Sequence, residues 1–285
     1  MSAIAPVGLT PDQLMARANE ILRETTKIKT PYHILGPREI EVASITFANA
    51  KENAAKFPPG KYKEHVALHK TIAHTRMVCQ VAADMALSDK SEEYRNLIMH
   101  KVVTCFGVGL CAETTASSFL LAYQLNLKAM RVFAFNPENP TENHAFTIIE
   151  PKTDLRIVSE NLLELLNNLD QGIIIDPFLK LVLKAQNFRD KNKGKDLKEY
   201  LQKHKVTQIH EVLLPQPTIS KEVKSSLEKD IATVKELAAQ IFKSDDTKSD
   251  PLLSEFDRIL KVLDEPKCPS DAQNTPLSTP STAGK

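Results

Sequence analysis

Gly107-Val108-Gly109-Leu110-Cys111-Ala112-Glu113 is the stretch on which the reading of this chain turns. Its two glycines break one helical pattern, and a second begins at the cysteine. Ala112, Ala116, Phe119, Leu120 and Tyr123 form the apolar stripe of that second run. The spacing therefore places a thiol in the first turn of a helix. There the positive end of the helix dipole and the unpaired N–H groups stabilise a thiolate. The same N–H groups, that of Cys111 among them, can hold an oxyanion. Glycine lets the backbone turn tightly and leaves room for another molecule to approach.

Downstream of this helix the periodicity changes to that of strands. Short β-rich runs occupy residues 131–135, 144–149, 155–158 and 172–175. Asn136-Pro137-Glu138-Asn139-Pro140 joins the first two, and Pro151-Lys152-Thr153-Asp154 is a turn signal before the third. An antiparallel sheet behind the Cys111 helix is expected. His144 opens the second run, and strand alternation puts His144, Phe146 and Ile148 on one face. Asp176 follows three isoleucines in Gly172-Ile173-Ile174-Ile175-Asp176-Pro177-Phe178. A charge there lies at the edge of the core and needs a partner, which a neighbouring strand carrying His144 supplies.

Upstream, the first hundred residues read as helical. Thr10-Pro11-Asp12 offers an N-cap with proline at the first helical position, and Leu14, Ala18, Ile21 and Leu22 recur at helical spacing. Further helical segments are expected over 37–56 and 61–87, with a fourth starting at Ser91. Beyond about residue 180 the chain is read as helical and charged again. Its Lys-rich stretch at 187–205 is expected to be solvated, with amphipathic helices over 220–242 and 252–263. From Pro266 the composition is too polar to order itself. The fold class is α+β, divided into a helical region 1–100, a core 101–215, a helical extension 216–265 and a disordered tail 266–285.

Composition narrows the function. The 285 residues are 42% hydrophobic and 26% charged, ordinary for a globular chain, and 37 Lys and Arg oppose 36 Asp and Glu. So balanced a charge offers no field for a phosphate backbone, and no nucleic-acid partner is expected. No apolar run reaches the roughly 20 residues that span a bilayer, so no stable membrane insertion is expected. The N-terminus lacks a basic segment followed by an apolar one, which predicts no classical signal peptide and synthesis in a cytosol.

Cys79, Cys105, Cys111 and Cys268 form no Cys-x-x-Cys pair and no disulfide framework, which suits a reduced compartment. Cys105 is the rival thiol, but it stands before the glycines and suits packing better. Glu113 reads as a favourable charge at a helix N-terminus. His65, His69 and His74 are the competing cluster, with His65 and His69 spaced to share a helix face. No His-Glu-x-x-His accompanies them, and His210-Glu211 has Leu214 where the second histidine belongs. Neither a metal nor a cofactor is expected.

With Cys111, His144 and Asp176 in that order, the chain resembles the papain-like and transglutaminase-like thiol hydrolases and acyltransferases. Gly107–Glu113, Asn143–Phe146 and Ile173–Phe178 carry the likeness, across roughly residues 100 to 180. It is closest to compact bacterial effector versions with a Gly-x-Cys-x-Glu helix start, a His-Ala-Phe strand and an Ile-Asp-Pro strand end. The resemblance implies a papain-like or transglutaminase-like core with Cys111 as nucleophile, His144 as general base and acid, and Asp176 as orienter. It implies a cysteine protease working through a thioester on protein amide bonds, with glutamine deamidase or transglutaminase as alternatives. The partner is then a protein substrate, a host protein in effector versions, and the Ser/Thr-rich tail is a secretion signal. Papain carries an aromatic residue after its nucleophile region and a glutamine upstream; neither is found here, so the second oxyanion donor is unassigned. The rival from another class is a non-catalytic helical interaction protein. Nothing in the sequence signals an oligomeric state.

Overall fold

Thr10 and Gln13 close a reciprocal capping box around Pro11, and this starts α1, Pro11–Thr25. The computed structural model describes residues 9–35, 47–86, 92–151, 161–190, 192–213 and 251–264, together with residues 225, 229, 230, 232, 233, 236 and 239. The helices that follow α1 are α2 (Pro31–Leu35), α3 (Ala50–Lys56), α4 (Lys61–Ala86), α5 (Glu92–Phe106) and α6 (Cys111–Gln124). Next come β1 (Ala129–Phe135), β2 (Asn143–Ile149), α7 (Leu162–Asn168), β3 (Ile173–Asp176) and β4 (Leu181–Lys184). The described chain ends with α8 (Lys195–Lys203), β5 (Gln208–Leu213) and α9 (Pro251–Asp264).

The molecule is α+β. Five strands form one sheet in the order β4-β3-β2-β1-β5, with every neighbouring pair antiparallel. The expected strand at 155–158 and the tail from 266 lie outside the described residues. So does most of the helix expected over 220–242, of which only single helical positions are described. The reading of a helical chain beyond residue 180 needs correction, because β4 and β5 extend the sheet there. Leu181–Lys184 has four residues, too few to display a period, and β5 breaks its apolar alternation with His210 and Glu211.

Helices cover both faces of the sheet. On one, Ile21 of α1, Val102 of α5 and Phe119 and Leu120 of α6 pack on Ile149, Ile173 and Ile175. On the other, Leu165 and Leu166 of α7 and Leu197 and Leu201 of α8 pack on Val132, Phe146, Ile148 and Ile174. Each such buried aliphatic side chain contributes on the order of 1.5–3 kcal/mol relative to exposure. The Lys-rich stretch expected to be solvated is therefore half a core element: Leu197 and Leu201 are fully buried under its lysines. α9 lies against α3 and α4 through Leu253, Phe256 and Ile259.

α6 approaches the sheet through small polar residues as well as through Phe119 and Leu120 of its apolar stripe. Thr115 Oγ1 donates to Ala145 O at 2.8 Å, and the Ser118 and Thr147 hydroxyls share a 2.6 Å hydrogen bond. Every one of these groups is buried and satisfied, so the polarity costs little.

A strap after α1 fixes the loop that leads into α6. Lys29 N–H donates to Gly107 O at 2.7 Å and Lys29 O accepts from Gly109 N–H at 3.1 Å, forming a parallel bridge to Val108. Gly107 needs its glycine for conformation, with φ +66° and open space around it, whereas Gly109 needs it for room: a Cβ there would meet Glu113 Cβ at 2.9 Å. The two sites accordingly separate on substitution. Gly109→Asn is expected to cost about 1–3 kcal/mol through overpacking. Gly107→Asn is expected to cost clearly less, because asparagine tolerates the left-handed region. Urea unfolding midpoints of the two variants check this, and equal losses would contradict it.

Candidate active site

The three residues singled out from the sequence come together, His144 and Asp176 through strand register and Cys111 from the start of α6. Thr147 pairs with Ile175 and Ile148 with Ile174. Continuing that register one place puts Asp176 opposite Phe146, with His144 its diagonal neighbour on the same face, within reach of a long side chain. His144 Nε2 donates to Asp176 Oδ2 at 2.6 Å, and both side chains have no exposed surface. Asp176 Oδ1 accepts Leu179 N–H at 3.0 Å, from the turn that Pro177 opens, so both carboxylate oxygens are held. A carboxylate only accepts, which leaves the Nε2 proton on the imidazole and Nδ1 facing elsewhere.

Cys111 packs with the same side-chain cluster as Phe146 and Phe178, the two rings that flank His144. His144 Nδ1 makes no hydrogen bond of ordinary geometry, yet the Cys111 thiol is near enough to act on the ring. The Cys111 Sγ lies 3.9 Å from Asn143 O and 3.8 Å from Asn143 Oδ1. Helix geometry leaves the Cys111 and Ala112 N–H groups without an intrahelical acceptor, while the Leu110 N–H is taken by Glu113 Oε2 at 2.9 Å.

Several groups that shape the site carry no signal in the sequence. Tyr200 of α8 lies tilted against the His144 ring at a centroid distance of 4.6 Å, and Phe178 meets it edge-on at 5.9 Å. His33 Nε2 donates to Pro177 O at 3.1 Å, so the strap that holds the Cys111 loop also holds the Asp176 turn. Burial keeps His33 neutral, helped by the charge of Lys180, with its pKa pushed down to about 4. Periodicity cannot reveal these contacts, because each joins elements far apart in sequence.

The competing candidates do not assemble. Cys105 is exposed near the end of α5. Burial, with Glu113 in support, pushes the Cys79 thiol up to about 12. Cys268 lies outside the described residues. The rings of His65 and His69 do meet, at 4.6 Å edge to face, but among the described residues no group of three His, Cys, Asp or Glu side chains is arranged to hold a metal. Among the described helices none is long and apolar enough to cross a membrane. A groove of about 840 Å³ opens at the far end of α6, lined by Leu14, Leu125, Leu127 and Ile173. It is remote from the thiol, since α6 alone is about 20 Å long.

Electrostatics tie the pair to pH. Burial by itself lowers the pKa of His144, but the charge and hydrogen bond of Asp176, with a smaller contribution from Cys111, outweigh it and raise the value from 6.5 to about 10. A group whose pKa rises on folding contributes its stability in full below the unfolded value and loses it as pH climbs through the folded value. Thermal stability should therefore fall as pH rises from 6.5 towards 10. His144→Gln should flatten that slope while lowering the midpoint at neutral pH, and unfolding scans across the range measure both.

No family model matches the chain, and no curated protein is similar to it in sequence, so the chemistry of this site is argued from its own residues.

Proposed function

We propose that the unit from α6 to β3 is a papain-like or transglutaminase-like core and that the protein is a thiol hydrolase acting on protein amide bonds. The observation that carries this reading is the division of labour on one imidazole. Asp176 holds Nε2, and Nδ1 is left without a conventional partner on the side where Cys111 acts on the ring. That is the arrangement in which a carboxylate orients a histidine for proton transfer with a nucleophile.

In the proposed reaction the Cys111 thiolate adds to an amide carbonyl carbon and the oxygen takes up the negative charge, facing the free N–H groups at the start of α6. The tetrahedral species collapses as the carbon–nitrogen bond breaks. His144 hands its Nδ1 proton to the departing nitrogen, leaving a thioester on Cys111. Water then gives up a proton to Nδ1 as it attacks, releasing a carboxylic acid and restoring the thiol. A primary amine in place of water gives a new amide instead.

A protease is the commonest use of such a triad. One observation favours the second reading, a glutamine deamidase or transglutaminase. Cys111 is 7% exposed and its two partners are fully buried. A main-chain peptide needs an open channel on both sides of the thiol, whereas a glutamine carboxamide on its two methylenes can enter a narrow mouth. A host protein as substrate, reached by a bacterial effector, remains part of the same proposal.

Iodoacetamide labelling tests the nucleophile. Cys111 of the wild type is expected to react well below about pH 8, and that low-pH labelling is expected to vanish in Cys111→Ala without loss of the fold, leaving only the slower labelling of exposed Cys105. Incubation with denatured casein then separates the reactions by mass spectrometry. New chain termini identify a protease, and glutamine turned to glutamate in an uncut chain identifies a deamidase. A wild-type Cys111 no more reactive than that of His144→Ala would leave the interaction-protein reading in its place.

A further inference from the structure

Arg76, on α4, reaches across to the first turn of α6. Its Nε donates to Glu113 Oε1 at 2.7 Å and its Nη2 to Oε2 at 3.2 Å, a fork that matches the planar carboxylate. Glu113 is only 7% exposed. Burial pushes its pKa up, and the hydrogen bonds and charge of Arg76 more than reverse this, keeping the group a carboxylate. The same oxygen, Oε2, accepts the Leu110 N–H at 2.9 Å and so holds the peptide that leads into Cys111. From the other side Gly109 presses on Glu113, with no space for even a methyl group between them. Glu113 is thus gripped by a second helix, by the helix start and by the glycine loop.

We infer that Arg76 is a positioning residue for the Cys111 thiol. Through Glu113 it fixes the Leu110–Cys111 turn, and it cancels a carboxylate charge that would otherwise oppose a thiolate two residues away. This rests on the reading of Cys111 as nucleophile. Both parts follow from elementary chemistry. With its Leu110 N–H committed to Glu113, the helix start presents the Cys111 N–H as its first uncommitted donor, aimed by a turn that cannot swing. An unpaired buried carboxylate on the first turn of α6 would repel a negative charge on the thiol two residues before it. The Arg76 guanidinium is also close enough to respond to the charges of Cys111 and Cys79. It does not touch a substrate in this scheme; its effect passes through Glu113.

The test is the rate of iodoacetamide alkylation of the Cys111 peptide, read by mass spectrometry from about pH 5 to about pH 9. Full-length wild type is compared with Arg76→Gln, Arg76→Lys, the double variant Arg76→Gln/Glu113→Gln, and His144→Ala, each checked for folding by circular dichroism. Arg76→Gln is expected to slow alkylation at neutral pH by about tenfold and to shift the profile to higher pH. The double variant should recover the part due to charge but not the part due to the turn. Arg76→Lys, which keeps the charge and loses the fork, should fall between wild type and Arg76→Gln. A folded Arg76→Gln that reacts at the wild-type rate throughout overturns the inference. Should that variant not fold, Arg76→Lys decides alone: a wild-type rate overturns the positioning role, and a slower one supports it. Failure of the nucleophile reading looks different, because wild type and His144→Ala would then react alike.

Discussion

A carboxylate and an imidazole bonded at 2.6 Å with neither exposed to solvent set the terms for the rest of this fold. A charge taken fully out of water is tolerated only when its hydrogen-bonding capacity is met, and losing one partner of such a pair costs about 3–5 kcal/mol. The His144–Asp176 bond therefore fixes the pairing of β2 with β3 as firmly as the backbone ladder does. A slip of one residue would turn either side chain to the opposite face and strand the other. The Asp-Pro turn completes the arrangement by offering the Leu179 N–H to the second oxygen.

Around that bond the molecule brings together two loops that no single element carries. The Cys111 loop follows α5 and the Asp176 turn follows β3. Residues 29 to 33 tie one to the other, with Lys29 bonded to the glycine loop and His33 to Pro177 O. The helical region before residue 100 is thus part of the site's scaffold. It supplies the strap, the Arg76 fork on Glu113 and the α1 surface on which α6 rests. Short strands and tight turns alone would leave the thiol free to drift by an ångström. In the proposed reaction, which needs its atoms aligned, drift on that scale would be expensive.

Much of this was readable in the residues, and the reasons differ between the parts that were and those that were not. The order of Cys111, His144 and Asp176 is local information, a glycine-led helix start and two strand ends, and it locates groups that prove to be neighbours. The long helices α4 and α6 and the strands β1 and β2 follow from periodicity in the same way, and β3 from its run of three isoleucines. β4 was missed because four residues hold no period, and β5 because His210 and Glu211 interrupt its apolar alternation. Thr115 and Ser118 were not assigned to the helix–sheet interface because polar residues normally face water. Here each finds an acceptor or partner on β2. Tyr200 lies in a Lys-rich stretch whose helix α8 buries just Leu197 and Leu201, too few apolar positions to mark a core face. Contacts between elements distant in sequence leave no trace in either element's own pattern.

Charge counting shows why the neighbourhood of the thiol is built as it is. In the proposed reaction, an ionised Cys111 beside a protonated His144 and an ionised Asp176 would sum to one net negative charge in a water-poor setting. The partial positive charge at the start of α6, worth roughly half an elementary charge, offsets part of it. An uncompensated Glu113 would add a second negative charge within the same turn and undo that offset. The Arg76 fork returns the Glu113 contribution to zero while leaving the carboxylate free to hold the Leu110 N–H. In the proposed reaction the helix dipole is then available to the thiolate and to the oxyanion that succeeds it. Burial strengthens each of these interactions and for the same reason penalises any one left unmatched. A site sealed this closely has to be balanced to within a single charge, and the Arg76–Glu113 pair is the element that balances it.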